Sequence, residues 1–326
     1  MLQEDTQMLD VVTMGEALID FLADRPGVTL TQARAFTWAP GGAPANVAAA
    51  AAKLGLATGF VGKVGTDPFG ECLRDTLRSC GVDTTNMLLT DEARTALAFV
   101  ALPTPDNPQF TFFRHPSADM IMRAEELDRA YLQQTHVFHF GSITLICEPS
   151  RSATLTAAKI AKEAGALISF DPNYRPALWP AKAARARILE TLPLVDLIKV
   201  NEVEVQLLTG KKDLLEGADA LVRLGPKACL VTAGADGSYY ATPRSHGYVP
   251  GFPVRTVDAT GCGDAFVAAA LKSILQLGDL DTLGPLDFEE VLRYANAAGA
   301  ITATKKGAIP AMPTAAQVET FLAQVV

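Results

Sequence analysis

The stretch Asp258-Ala-Thr-Gly-Cys-Gly-Asp-Ala-Phe266 decides the fold and much of the chemistry of this 326-residue chain. It follows an extended segment, Pro253–Val257, and leads into Ala265–Leu277, where apolar residues recur at helical spacing. The two glycines therefore lie where a loop meets a helix, and they let the backbone approach a ligand with its N–H groups turned inward. Because a helix N-terminus also carries partial positive charge, this junction suits a phosphate group.

Asp264, in the first turn of that predicted helix, has two interpretations. It could be a capping carboxylate, which stabilises a helix by about 0.5–2 kcal/mol. A carboxylate beside a phosphate would repel its ligand unless it served the chemistry, however, and accepting a proton from an attacking hydroxyl is such a purpose. The spacing matches neither G-x-x-x-x-G-K-[ST] nor G-x-G-x-x-G, which excludes Walker-type and Rossmann dinucleotide sites.

The composition limits the classes of partner. Lys and Arg total 28 against 36 Asp and Glu, a net charge of −8, which argues against nucleic acid or an anionic membrane as the main partner. No apolar run approaches the ~18–20 residues of a membrane span, and the N-terminal MLQEDTQMLD lacks the order of a secretory signal. Five cysteines without a C-x-x-C pair predict neither a disulfide framework nor a zinc site, so we expect a reducing, cytoplasmic location.

Apolar β-rich runs alternate with helical patterns along most of the chain. Strands are predicted at Val11–Met14, Val137–Phe140, Leu167–Asp171, Leu197–Val200 and Ala228–Thr232. Helices are predicted at Ala43–Leu54, Phe69–Cys80, Ser150–Ala164, Ala181–Leu192, Glu202–Leu208 and Val291–Thr304. This alternation predicts one α/β domain over residues 1–326, with a mainly parallel sheet and helices on both faces.

Two segments break the alternation and predict a small antiparallel sheet. Ala17–Leu22, Thr95–Leu102 and Gln109–Arg114 have strand character, and the turn Pro103-Thr-Pro-Asp-Asn-Pro108 joins the last two as a hairpin. We expect this unit, from about residues 16–40 and 94–118, to form a lid over one end of the main sheet. Its exposed strand edges could pair with a second copy, which predicts a homodimer.

Two linked motifs carry a family resemblance. Asp258–Asp264 resembles the second signature of the ribokinase-like (PfkB) carbohydrate kinases, with Cys262 where a small residue is common. Gly41-Gly-Ala-Pro-Ala-Asn-Val-Ala48, continuing through Gly55 and Gly65, resembles the first signature. Their order and separation match the family, and the similarity covers nearly the whole chain.

The resemblance implies a fold and an activity. The fold is a three-layer α/β/α sandwich with a mainly parallel central sheet and a small β-sheet lid. The implied activity is transfer of a phosphoryl group from ATP to a sugar alcohol, with Asp264 as general base and the N–H groups of Gly261, Cys262, Gly263 and Asp264 as an anion hole. Fructokinases are resembled most closely, through Gly15–Phe21, Arg94–Val100 and Phe113–Met120, which implies D-fructose as substrate and D-fructose 6-phosphate as product.

The resemblance also implies a sugar site. Its residues are Asp20, Gly41, Gly42, Asn46, Arg114, Asp171, Asn173 and Arg175. The residues alone permit other interpretations: Asp20 as an outward strand residue, Asn46 as a partner of local backbone groups, and Arg114 as an exposed lid charge. The loop from Asp171 follows a strand end, where open α/β sheets bind ligands. His115 departs from the fructokinase pattern, which has Asn there.

Nucleotide and metal sites are implied in the same way. The nucleotide residues are Asn201, Thr232, Gly234, Gly237 and Asn296, the first belonging to the family's N-x-x-E motif. Glu204 would hold Mg²⁺ through water, although Glu at this spacing is also frequent in a capping box. A K⁺ site would use Asp258, Thr260, Ala303 and Gly307. Cys262 lies at a helix N-terminus, which could lower the pKa of its thiol, but we expect its role to be packing.

Two other functions remain open on the sequence. A 2-keto-3-deoxygluconate kinase, or another ribokinase-like sugar or nucleoside kinase, would share the opening Gly-Glu and the Asp-x-Asn-x-Arg loop. The ketodeoxygluconate carboxylate needs cationic groups, however, and Asp20 would oppose it. A non-catalytic sugar or nucleotide sensor on the same fold would be expected to lack the motif aspartate, which is present as Asp264.

Overall fold

The computed structural model describes residues 8–104 and 107–325, in which strands and helices alternate. The strands are β1 (Leu9–Met14), β2 (Leu18–Ala23), β3 (Phe36–Gly41), β4 (Thr58–Gly65), β5 (Met87–Thr90), β6 (Ala96–Thr104), β7 (Asn107–Phe113), β8 (Thr135–Gly141), β9 (Leu167–Asp171), β10 (Leu197–Asn201), β11 (Ala228–Thr232), β12 (Gly237–Ala241) and β13 (His246–Pro250). The helices are α1 (Ala43–Lys53), α2 (Pro68–Ser79), α3 (Arg129–Leu132), α4 (Ser150–Glu163), α5 (Ala181–Thr191), α6 (Glu202–Thr209), α7 (Leu214–Val222), α8 (Cys262–Leu277), α9 (Pro285–Ala303) and α10 (Ala315–Gln324). None of these helices is both long and apolar enough to cross a membrane.

Nine strands form the large sheet, in the order β13-β12-β11-β10-β9-β8-β1-β4-β5. Neighbours from β11 to β5 are parallel, whereas β12 and β13 are added antiparallel at one edge. The carboxyl ends of the parallel strands therefore meet along one edge of the sheet. Open α/β sheets bind ligands at this edge, and the loops after β1, β9, β10 and β11 all begin there.

Helices cover both faces of the large sheet. One buried cluster joins α1, α2, α8 and α9 to one face, and a second joins α4, α5, α6 and α7 to the other. The alanine-rich α1 and α8 pack closely together against the sheet, because small side chains let helix backbones approach. The predicted three-layer α/β/α sandwich with a mainly parallel sheet is confirmed.

The small sheet has the order β3-β2-β6-β7. Its outer pairs are antiparallel as predicted, but β2 and β6 are parallel. Both strands leave the same edge of the large sheet, one after β1 and the other after β5, so they must run in the same direction. One face of this sheet carries aromatic side chains, among them Phe21 and Phe99, whose stacked rings lie 4.8 Å apart. Asp20, next to Phe21 in β2, lies on the opposite face because side chains alternate along a strand.

The predicted strands and helices are present, with ends that differ by a few residues. Sequence analysis missed the strands β3, β4, β5, β12 and β13, the helices α3, α7 and α10, and the first six residues of α9. The missed β4, Thr-Gly-Phe-Val-Gly-Lys-Val-Gly, contains three glycines and a lysine, which disguise a fully buried strand. Part of the predicted hairpin turn, residues 105–106, and most of the N-terminal stretch, residues 1–7, lie outside the described residues.

Candidate active site

Asp264 lies at the N-terminal end of α8 and contacts the first turn of α1. Its Oδ2 accepts a hydrogen bond of 2.8 Å from Nδ2 of Asn46, 218 residues away in the chain. Asp264 accepts no capping hydrogen bond, since Gly261 occupies the cap position, so the capping interpretation is wrong. The Oδ1 of Asn46 is buried without a partner among the described residues, which leaves an acceptor available to a ligand hydroxyl. Asn46 thus pairs with a distant carboxylate, and its side chain is not occupied by local backbone groups.

Asp20, Arg175 and Asp264 form a charged group around the same space. Burial raises the pKa of Asp264 to about 6, and the negative charge of Asp171 adds to the effect against the hydrogen bond from Asn46. Burial also raises the pKa of Asp20 to about 7, where Arg175 opposes the rise and Asp264 adds to it. Asp20 is therefore not an ordinary outward strand residue. A buried carboxylate with a pKa near neutrality is suited to general base catalysis.

The glycine pair at the end of β3 shapes the floor of this space. A side chain at Gly41 would begin 2.2 Å from Oδ2 of Asp20, so that carboxylate occupies the room which Gly41 leaves free. Gly42 has a φ of 101°, and a side chain there would begin 2.4 Å from the carbonyl oxygen of Glu16. Only glycine satisfies both conditions at position 42. The structure thus brings the first signature motif directly against Asp20.

The loop after β9 forms another wall. Oδ1 of Asp171 accepts a hydrogen bond of 3.0 Å from the N–H of Asn173, which adopts a left-handed backbone conformation with φ 45°. Oδ2 of Asp171 lies 3.0 Å from Nζ of Lys199, and both side chains are buried. Asp171 therefore forms a buried ion pair with Lys199, while Arg175, farther along the loop, acts on Asp20 and Asp264 by its charge.

The loop-to-helix junction offers free N–H groups, as its sequence predicts. Gly261 has a left-handed φ of 80°. No hydrogen bond among the described residues uses the N–H groups of Gly261, Gly263 or Asp264, whereas the N–H of Cys262 donates to Ala259 at 3.3 Å. Three free donors at a helix N-terminus can hold an anion. Burial and the nearby carboxylates Asp258 and Asp264 raise the pKa of the Cys262 thiol to about 12, which agrees with the expected packing role.

Arg114 is buried, so its alternative interpretation as an exposed lid charge is wrong. It is only 5% exposed, and its Nε and Nη2 both donate to Oδ2 of Asp119. Glu16 lies close enough for these charges to act on it, and burial raises the pKa of Glu16 to about 7. Oε1 of Glu16 accepts from the N–H of Ala43 at 3.0 Å. Arg114 therefore belongs to a buried charge cluster at the junction of the two sheets, while neighbouring His115 is exposed.

The predicted nucleotide residues lie at the carboxyl edge beside this space. Asn201 and Thr232 are direct neighbours, at the ends of β10 and β11. Gly234 and Gly237 follow in the next turn, both with left-handed φ values. Asn296, on α9, donates from Nδ2 to the carbonyl oxygens of Val249 and Pro250, both at 3.3 Å. Its donor thus holds strand β13 in place.

Glu204 forms the capping box that its spacing permits. Its N–H donates to Oδ1 of Asn201, and its Oε2 accepts from the N–H of Asn201, both at 2.9 Å. Oε1 accepts from the N–H of Tyr174 at 2.7 Å, which ties the sugar-side loop to α6. Burial and the charge of Asp171 raise the pKa of Glu204. Each oxygen accepts one protein hydrogen bond and keeps a second lone pair, a donor set that fits a contact with Mg²⁺ through water.

The four residues implied in K⁺ binding meet in one loop cluster. Oδ2 of Asp258 accepts from the N–H of Gly307 at 2.9 Å, and Oδ1 accepts from the N–H and hydroxyl of Thr260. The carbonyl of Ala303 already accepts from the N–H groups of Val257 and Asp258. The cluster supplies the carboxylate and carbonyl oxygens that a hard cation needs, although several of them already accept hydrogen bonds.

Sequence analysis missed Lys199, Glu16 and Asp119. Lys199 had a signal, because a charged residue interrupts the otherwise apolar strand Leu-Ile-Lys-Val just before the strand ends. Glu16 immediately follows the glycine after β1, at the ligand-binding edge. No signal in the sequence indicated Asp119, since its role depends on its hydrogen bonds from Arg114 in the folded chain.

Comparisons with known proteins agree with this geometry. The model of the pfkB family of carbohydrate kinases matches residues 8–315. Fructokinase-1 of Zea mays is 49% identical over 313 residues, which cover 94% of this chain and 96% of that protein. Fructokinase-2 of Solanum lycopersicum is 47% identical over 316 residues, covering 96% of this chain and 95% of that protein.

Solved structures give the same result. The structure of a fructokinase with bound ATP from Xylella fastidiosa superposes with a TM-score of 0.88 at 35% identity, over 97% of this chain and 98% of that one. The fructokinase of Vibrio cholerae O395, in a form with fructose, ADP and calcium ion bound, superposes with a TM-score of 0.85 at 34% identity, over 96% of this chain and 99% of that one. The family resemblance of the sequence motifs is confirmed.

Proposed function

The chain belongs to the pfkB family of carbohydrate kinases, and from this we propose that it is a fructokinase, which transfers the γ-phosphoryl group of ATP to D-fructose and yields D-fructose 6-phosphate. The fructokinases of Zea mays and Solanum lycopersicum are 49% and 47% identical to it over nearly the whole chain. The observation that carries the proposal is the buried carboxylate of Asp264, held by Asn46 and adjoining free N–H groups at the start of α8. This arrangement places a base and an anion site side by side, as phosphoryl transfer to an alcohol requires.

The sugar occupies the space bounded by Asp20, Gly42, Asn46 and the loop from Asp171 to Arg175. The free Oδ1 of Asn46 accepts from one sugar hydroxyl, and the carboxylate of Asp20 accepts from others. Asp20 also opposes a substrate carboxylate, since its negative charge would lie against it. This favours a neutral ketose over 2-keto-3-deoxygluconate.

The reaction is an in-line displacement at phosphorus. The primary hydroxyl of fructose attacks the γ-phosphorus and forms the new O–P bond, while its proton passes to the carboxylate of Asp264. The bond from the γ-phosphorus to the bridging oxygen breaks, and ADP leaves with that electron pair. The N–H groups of Gly261, Gly263 and Asp264 donate to the oxygens on which charge builds.

The remaining residues hold the nucleotide. The adenosine part lies along the edge formed by Asn201, Thr232, Gly234 and Gly237, near Asn296. Glu204 would hold Mg²⁺ through water, and the ion would neutralise phosphate charge when bound. The Asp258 cluster would hold K⁺ beside the anion hole.

Three further proposals concern the molecule as a whole. Residues 1–326 act as one kinase domain, whose small sheet closes over the sugar and excludes water, which suppresses hydrolysis of ATP. Edge strands β3 and β7 of that sheet, with the exposed Trp38 and Phe113, support a homodimer that size-exclusion chromatography with light scattering would detect. The five cysteines without a disulfide support a cytoplasmic location.

A substrate panel tests the proposed function. ADP release is measured for the purified chain with ATP, Mg²⁺ and, in separate wells, fructose, ketodeoxygluconate, ribose and aminoimidazole riboside, each with and without K⁺. We expect the largest kcat/KM with fructose. Turnover of another sugar with an inert fructose well would refute the fructokinase proposal, and sugar binding by calorimetry without turnover of any would favour a sensor.

A further inference from the structure

Lys199 lies beside the anion hole, although neither signature motif includes it. It belongs to β10, and its side chain is buried against the N-terminus of α8. A side chain at Gly263 would begin 3.1 Å from Nζ of Lys199, so the ammonium faces the bare backbone of the anion hole. On its other side, Nζ donates to Oδ2 of Asp171 at 3.0 Å.

The surroundings of Lys199 keep it charged. Burial lowers its pKa, but the carboxylates of Asp171, Glu204 and Asp264 outweigh burial and raise it. A structural ion pair would need only one of these carboxylates. Three carboxylates around one ammonium leave local negative charge in the absence of ligand, while an incoming phosphoryl group would add more. Lys199 therefore lies where negative charge must be neutralised during the reaction.

We propose that the ammonium of Lys199 binds the transferring phosphoryl group, together with the N–H groups of Gly261 and Gly263, and shifts from Asp171 toward it as charge builds. This inference rests on the proposed kinase activity and adds a catalytic residue to it. The lysine donates hydrogen bonds and supplies positive charge, but it neither gains nor loses a proton. The proton of the sugar hydroxyl still goes to Asp264, and the electron pair of the broken bond still leaves with ADP.

Two features of the fold favour this role over a purely structural one. The amino group has three donors, and the described contacts use one of them, with Asp171. Glycine at position 263 also leaves the path from Nζ to the anion hole open, since any side chain would begin 3.1 Å from it. A lysine whose only purpose was to neutralise Asp171 would not require that opening.

The test compares the wild type with Lys199→Met and Lys199→Arg. We expect Met to lower kcat by ~10²–10³, the loss seen when one donor to a developing charge is removed, while the Kd for ADP stays within about threefold. Arg keeps the charge in a larger group beside Gly263, so its kcat should be intermediate. Lys199→Met alone leaves the buried carboxylate of Asp171 without its partner. If that variant does not fold, ADP affinity is measured instead on the double variant Asp171→Asn with Lys199→Met, in which this carboxylate is neutralised.

The pH profile gives a second reading. Asp264 is faced by Asp20 from β2, by Asp171 at the end of β9, by Arg175 in the loop that follows, and by Lys199. Of these, Lys199 and Arg175 lower the pKa of Asp264, so removing the lysine charge should move the acid limb of kcat to higher pH. Lys162→Met is the matched control, because Lys162 pairs with Asp196 at the opposite end of β10; we expect its kcat and pH profile to equal those of the wild type.

The outcomes separate the two proposals. A kcat of Lys199→Met within about threefold of the wild type, or a fall in ADP affinity as large as the fall in kcat, overturns the role of Lys199. A wild type that does not phosphorylate fructose overturns the fructokinase proposal instead. In that case the variants are measured with whichever sugar of the panel is accepted.

Discussion

Replacing Asp264 by Asn should abolish most of the activity and at the same time stabilise the protein. Asn keeps an oxygen that can accept the 2.8 Å hydrogen bond from Asn46, so the local packing is retained. It cannot accept the proton of the sugar hydroxyl, and loss of a positioned base lowers kcat by roughly 10²–10⁴-fold. Sugar and nucleotide affinities should change little.

The stabilisation follows from the cost of burying the charge. The pKa of Asp264 rises from 3.8 to about 6 on folding, and two units correspond to about 3 kcal/mol. Below pH ~4 the carboxyl is mostly neutral in both the folded and the unfolded chain, so its burial does not lower the free energy of unfolding. Above pH ~6 it is charged in both states, and the full cost of burying the charge lowers the free energy of unfolding. Asn removes this penalty, which for 326 residues amounts to about 4 °C in Tm above pH 7.

The assay measures kcat by coupled ADP release and Tm by thermal unfolding, at about pH 8 and about pH 4. Asp75→Asn is the control, because Asp75 lies on α2 with an exposed side chain and should leave both quantities unchanged. The Tm gain of Asp264→Asn should be fully present at the higher pH and fall to a small fraction at the lower one. A kcat within about tenfold of the wild type would remove Asp264 from proton transfer, and an equal loss of Tm at both pH values would refute the burial penalty.

Three further predictions concern the same site. Asp20→Ala should raise KM for fructose by at least about tenfold, since a hydrogen bond to a charged group contributes roughly 1.5–3 kcal/mol; an unchanged KM in steady-state kinetics would exclude Asp20 from sugar binding. Gly42→Ala should lower the free energy of unfolding by more than Gly55→Ala, because both glycines have left-handed φ values but only Gly42 meets neighbouring atoms; equal losses in denaturant titrations would contradict the close approach to Glu16. The kcat/KM of the wild type for fructose should rise with pH through an apparent pKa near 6, that of Asp264 in the free enzyme; a flat profile from about pH 5 to 7 would show that another group limits proton transfer.

Local patterns in the sequence were sufficient for most of the architecture. The mostly apolar runs at β9, β10 and β11, and the helical patterns between them, predicted the parallel sheet, because strands buried on both faces need no polar alternation. The local patterns did not predict β4, because its glycines and buried lysine are untypical of a strand. They also predicted an antiparallel small sheet, whereas β2 and β6 are parallel. The direction of that pair depends on where both strands leave the large sheet.

The candidate site shows the same division. The glycines around Cys262 predicted free N–H groups at a helix start, since loop and helix are adjacent in the chain. In the structure one of the four N–H groups is not free, because the N–H of Cys262 donates to the carbonyl oxygen of Ala259. The pKa of the Cys262 thiol also depends on the tertiary structure: the helix position favours the thiolate, but burial and two carboxylates oppose it.

The sequence by itself determined the elements, the order of the two glycine motifs and the residue types available for chemistry, because these depend on neighbours along the chain. Only the tertiary structure decided that Asn46 holds Asp264 across 218 positions, that Arg114 is buried against Asp119, and that Lys199 faces Gly263. Desolvation and distant charges set the pKa of each buried group. Both arise when helices and strands far apart in sequence pack together, and no local pattern of residues encodes that distance.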